Sequence, residues 1–154
     1  MRASDFFPFR HQIREGTRIA IDGLTPEQLE WKPPGGVHSI LGWLRHVAQA
    51  EDWWVRRVIL GEAMTPKRKV EVPDLESVMA YLEETRARTN RLLEEWPAEK
   101  LQEIRPIPPD HNGPPIEEAP IHWIIQTVFN HEIHHRAQIR LYRRLMGVPA
   151  APSW

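Results

Sequence analysis

Residues 121–146 read IHWIIQTVFNHEIHHRAQIRLYRRLM, with Gly147 and Pro149 just beyond. The stretch reads as one long helix, closed by glycine at C′ and by a proline that cannot continue it. At roughly 100° per residue, His131 and His135 lie about 40° apart and one turn along. Their face also carries Ile124, Val128, Gln138 and Tyr142, so it is partly apolar and turns toward a protein interior. Two imidazoles there need partners, because an unpaired buried polar group costs roughly 1–3 kcal/mol. A metal ion would satisfy both, and i, i+4 is a spacing by which two histidines on one helix chelate. His134, about 60° from His131 on the other side, could replace His135; His122, about 180° away, cannot share the site.

Such a helix needs others to bury its interior face, and the chain supplies them. A first helix is expected from about Asp5 to Asp22, with Asp5 as N-cap and Gly23 past its end. Its apolar side is Phe6, Phe9, Ile13, Ile19 and Ile21. A second starts after Ser39 and ends near Leu60, and a third runs from its cap Asp74 to about Trp96 and stops at Pro97. Thr25-Pro26-Glu27-Gln28 carries a capping box with proline at the first helical position, and Pro97–Leu101 forms a similar short turn. The 15 prolines fall mostly between the periodic segments, including a long connection from Pro106 to Pro120. No strand is expected, since Val70-Glu71-Val72 is too short. Residues 1–154 therefore read as a single all-α domain, a four-helix bundle whose long connections allow a crossover.

Composition excludes several chemistries. With 20 basic and 21 acidic residues the net charge is -1, which gives no general surface for nucleic acid or acidic membranes. Arg136, Arg140, Arg143 and Arg144 cluster locally and read as a solvated face that is favourable near a helix C-terminus. There is no cysteine, so thiolate ligands, disulfides and cysteine nucleophiles are ruled out, and a metal must be held by His, Asp or Glu. No secretory signal or membrane-length apolar run is seen, so a cytoplasmic protein is expected.

His46, inside the second helix, is the best third ligand. Trp43, Ala50 and Trp53 share its face, as a pocket mouth would require. Glu51 lies about 140° from His46 and is not expected at the metal. His131-Glu132-Ile133-His134-His135 also satisfies the zinc-protease pattern H-E-x-x-H, which would make Glu132 a general base. That reading ranks low, because Arg136 to Trp154 contains no Asp, Glu or His to complete a site. Gln138 could orient a ligand or bound water, and Arg136 could hold an anionic substrate. Trp43 and Trp53 are candidate pocket walls, with Tyr142 either a wall or core.

Asn130-His131-Glu132-Ile133-His134-His135-Arg136-Ala137-Gln138-Ile139, followed by Leu145-Met146-Gly147, resembles the C-terminal helix signature of the DinB-like metalloprotein superfamily. Ser39-Ile40-Leu41-Gly42-Trp43-Leu44-Arg45-His46-Val47 resembles another part of it, as does Trp31-Lys32-Pro33-Pro34. Ala137 stands where glycine is common. These are not the DNA polymerases of similar name. The resemblance implies a four-helix bundle with a crossover, often a homodimer, with zinc or nickel on His46, His131 and His135. It further implies a small-molecule substrate, possibly thiol-containing, and a metal-dependent transferase of the thiol S-transferase type or a hydrolase. The alternative is a non-enzymatic stress-related or interaction module with a structural or vestigial metal.

Overall fold

A computed structural model describes residues 1–111, 113 and 115–149. Helices α1 (Arg10–Ile21), α3 (Ile40–Asp52), α4 (Leu75–Glu95) and α5 (Ile121–Leu145) are the long elements, and α2 (Pro26–Glu30) is a single short turn. From Trp53 to Ile59 α3 continues with wider π geometry. The caps follow the sequence: Ser39 Oγ accepts from Gly42 N at 3.1 Å and Asp74 Oδ1 from Ser77 N at 2.9 Å. Thr25 and Gln28 form the reciprocal capping box, and Gly147 takes the left-handed φ of 71° that ends α5.

Two expectations need correction. The first helix does not begin at Asp5; Ala3–Phe6 form a 3-10 turn and α1 starts only at Arg10. Pro8 intervenes, lacking an N–H and pushing the residue before it out of helical geometry. Asp5 instead accepts from the Arg2 backbone N–H at 2.8 Å within that turn. The proline-rich connection also contains a small antiparallel ladder, β1 (Ile104–Pro106) with β2 (Glu118–Pro120), pairing Arg105 with Ala119. Three-residue strands ending in proline are too short to show alternation.

Cross-helix contacts fix the topology. Phe7, just before α1, packs on Phe129, whereas Arg143 binds the carbonyls of Ala20 and Asp22 at the other end of α1. Helices α1 and α5 therefore run parallel. One apolar cluster joins Ile40, Leu41 and Leu44 to Val78, Leu82, Ile139 and Tyr142, and another joins Val58 and Ile59 to Leu93, Ile121 and Ile124. So α3 runs against α5 and along α4. Parallel neighbours cannot be joined by a tight turn, and the non-helical residues 60–74 make the crossover.

The two apolar clusters are separated by a polar layer. Arg14, Glu51, Arg86 and Glu132, one from each long helix, are at most 3% exposed and bonded to one another. Thr17 and Thr89 add hydroxyl donors to Glu132 and Glu51. The histidines of α3 and α5 lie at the same level of the bundle.

Candidate metal centre

Helix α5 turns His131 and His135 toward α3, where His46 meets them. His131 Nε2 is 3.0 Å from His46 Nε2 and 3.0 Å from His135 Nε2. The three ligand atoms all lie within 4.8 Å of one another. His135 Nδ1 donates to Gln138 Oε1 at 2.5 Å. Because an amide oxygen only accepts, that bond puts the hydrogen on Nδ1 and leaves Nε2 a bare lone pair. A proton on His131 Nε2 could lie along only one of its two 3.0 Å contacts, whereas a cation in the triangle would satisfy all three nitrogens. Ligand nitrogens about 2.0–2.1 Å from zinc, at angles of about 90–109°, stand about 2.8–3.4 Å apart, which matches the two 3.0 Å contacts of His131. The residues present therefore fit a divalent metal.

Their electrostatics suit the same role. Burial first, then His135 and His46, lower the His131 pKa to about 3. Burial lowers His135 to about 4 against the opposing Gln138 bond, and burial and His38 lower His46. All three are neutral at physiological pH, the form that binds metal. Trp43 stacks on His135 with centroids 4.4 Å apart and an interplanar angle of 20°, and its edge meets His46.

His46 and His131 open onto a cavity of about 500 Å³ walled by Trp53, Trp54, Ile116 and Trp123. The face formed by His46 and His131 is thus exposed to a ligand-sized space. Among the described residues, no fourth His, Asp or Glu completes the histidine group.

A family model described as the DinB superfamily matches residues 11–139. The chain belongs to the DinB superfamily. Two similar structures share its fold. A DinB-like protein from Bacillus cereus ATCC 10987 aligns with a TM-score of 0.64 at 20% identity, over 97% of this chain and 95% of the other. One from Bacillus subtilis aligns with a TM-score of 0.60 at 19% identity, over 98% and 94%. No curated protein matches the chain.

In this DinB-superfamily chain the other candidate residues separate. Trp53 lines the cavity, but Trp43 lies against His135 as a backing ring rather than a wall. Tyr142 does not line this cavity: it belongs to the apolar cluster at the far end of α5 and packs edge-on against Trp31. It shares the histidine face but stands two turns beyond His135, about 10 Å along the axis. Arg136 does not reach the cavity either. It is rotated about 100° from His135, faces α1 and donates to the Ile13 carbonyl at 3.1 Å. His134 is exposed and outside the group, and His122 stacks on Phe7. Arg143 is buried rather than solvated, bound to carbonyls at the end of α1.

Glu132 is fully buried and turned to Arg14 and Arg86 rather than to the three histidines. Its carboxylate accepts from Arg14 Nε at 2.8 Å, Arg14 Nη2 at 3.1 Å, Arg86 Nη2 at 2.6 Å and Thr17 Oγ1 at 2.7 Å. Burial alone would raise its pKa, but Arg14 and Arg86 outweigh it and hold the carboxyl at about 2. So saturated a carboxylate is not placed to act as a general base. Glu51, which helix geometry turns away from His46, lies in the same network. Sequence reasoning missed this network; its signal was Arg14, Glu51, Arg86 and Glu132 each within a helix that must bury one face.

Proposed function

We propose that this chain is a metal-dependent enzyme whose open three-histidine centre, on His46, His131 and His135, transfers a thiol to a small molecule or hydrolyses one. The observation that carries this reading is the convergence of three neutral imidazole nitrogens, with His46 and His131 at the wall of a cavity. Closed four-ligand zinc sites are structural, whereas three protein ligands with an open position are typical of catalysis. When bound, a zinc or nickel ion would supply the Lewis acidity that activates water or a thiol.

The chain's own residues do the rest. Gln138 fixes the tautomer and orientation of His135, the role of a hydrogen-bond partner behind a ligand. Trp43 shields that ring from solvent, and the tryptophans around the cavity limit water near the open side. A cytoplasmic homodimer acting on a small, thiol-containing substrate is part of the same proposal.

Elemental analysis of protein prepared without a histidine tag tests it first. About one zinc or nickel per chain is expected, the count for a single site of this type. His46→Ala, His131→Ala and His135→Ala should each lower that content while the protein stays helical. Full metal retention in the triple variant would overturn the assignment. Incubating the loaded protein with an electrophile, with and without a low-molecular-weight thiol, then separates the two chemistries. Turnover that requires the thiol indicates transfer, and turnover in water alone indicates hydrolysis.

A further inference from the structure

The cavity beside the histidines has its own chemical character. Trp53 and Trp54 lie at the start of the π segment, and their rings meet edge to face at 4.9 Å. Trp123, from the first turn of α5, meets Trp54 at 6.1 Å and 76°. The ring of His111 lies nearly parallel to Trp53, at 23° and a centroid distance of 6.4 Å. Four aromatic rings therefore surround one opening of about 500 Å³. Among the described residues, no Lys or Arg lines it. Its one acidic wall residue, Asp110, is paired with Arg57 at 3.3 Å. The cavity offers flat apolar faces and no free charge for an anion.

Helical spacing is the local reason for this wall: Trp53 stands seven residues after His46, on the same face. A π stretch offsets the helix face by part of a turn and is often found at functional sites. Here the π segment begins at Trp53 and Trp54, and both line the same cavity as His46.

We infer that this cavity binds an uncharged, planar aromatic molecule among Trp53, Trp54 and Trp123, beside the face formed by His46 and His131. The inference rests on the proposed function for its place in catalysis, but the binding itself needs only the tryptophans. Aromatic side chains pair best with aromatic ligands in offset or edge-to-face geometry, beyond what apolar area alone gives.

Equilibrium dialysis of the full chain, metal-free and zinc-loaded, tests this with 1-naphthylmethanol as probe. Cyclohexylmethanol serves as the non-aromatic comparator and 1-naphthalenesulfonate, on metal-free protein, as the anionic one. Naphthylmethanol should bind in both forms and more tightly than either comparator. Trp54→Leu and Trp123→Leu should each weaken it by about 2- to 12-fold, the contribution of one aromatic pair, with zinc content unchanged. Trp123 is already 39% exposed, so its replacement spares the core. Equal binding of cyclohexylmethanol or the sulfonate, or unaltered naphthylmethanol binding in both variants, would overturn the inference. Zinc bound without naphthylmethanol defeats the cavity assignment alone. Naphthylmethanol bound without any metal uptake supports it and defeats the metal-enzyme reading instead.

Discussion

Replacing Glu132 with glutamine should destabilise the protein severely without touching a metal ligand. The substitution keeps the shape and removes one negative charge from the buried layer. Arg14 and Arg86, at most 3% exposed, would then share Glu51 as their one buried anion, with only the partly exposed Glu83, 3.5 Å from Arg14, beside it. Removing one partner from a buried ion pair costs about 3–5 kcal/mol, because the remaining charge is left uncompensated. An independent route gives a similar figure. Moving the carboxyl from its ordinary 4.5 to about 2 on folding corresponds to about 3 kcal/mol. For a chain of this length, each kcal/mol shifts Tm by about 2–4 °C, so a fall of about 6–20 °C is expected. The assay is urea and thermal unfolding of metal-free protein at pH 7. The sign of the pH dependence follows from a folded pKa below the unfolded one. The Glu132 contribution is fully present above about 4.5 and is lost as pH falls toward 2. The wild-type and Glu132→Gln curves should therefore converge on acidification. A variant within about 1 kcal/mol of wild type at pH 7, the value of an exposed pair, would refute the reasoning.

Further outcomes concern the histidines. Gln138→Ala should weaken zinc binding by about 10- to 100-fold, the usual effect of losing a partner behind a ligand, and Gln138→Glu, which restores an acceptor, should recover most of it; competition against a chelating dye measures both. Zinc at about 100 times its Kd should stabilise the protein by about 2.7 kcal/mol, read as a Tm rise of about 5–11 °C that His46→Ala abolishes. Because folding depresses the pKa of His131, His135 and His46, metal-free protein should lose stability as pH falls below about 6.5, at up to about 1.4 kcal/mol per pH unit for each histidine. His131→Ala should make that slope shallower, and an unchanged slope in urea titrations between pH 6.5 and 5 would contradict the assigned burial.

What could be read from sequence was what repeats or stands at an end. Ser39, Asp74 and Gly147 are local signals, since each acts on backbone groups within a turn of itself. His131 and His135 were legible for the same reason: one helix sets their spacing. His46 was reachable through its own helix, by its aromatic face. Pro8 illustrates a local signal underweighted, because the apolar spacing of Phe6, Phe9 and Ile13 continued across it while the backbone could not. The rest depended on distance in sequence. Arg14 meets Glu132 118 positions away and Arg86 meets it 46 away, so neither helix alone reveals the pairing. Tyr142 stayed open between wall and core because angular position on α5 is local, whereas depth along the bundle depends on where α3 lies beside it.

Residues 131–135 show how far a motif can be carried without its surroundings. In a zinc protease both histidines and the glutamate of H-E-x-x-H serve one ion. Here α5 is packed on two sides, by α3 through His46 and by α1 through Arg14. A helix packed on two sides sends residues about 100° apart toward different neighbours. The histidines therefore meet His46, and the glutamate meets Arg14, Arg86 and Thr17. The same five residues thus serve the histidine triad on one face and a buried ion network on the other. The two are mechanically joined, because rotating α5 enough to free Glu132 would also turn His131 and His135 away from His46. On this argument the Arg14–Glu132–Arg86 network positions the ligands as well as stabilising the bundle. Thr17→Val, which removes one neutral donor and leaves the charges paired, should cost only about 1–3 kcal/mol and leave zinc affinity nearly unchanged, whereas Glu132→Gln should lower both.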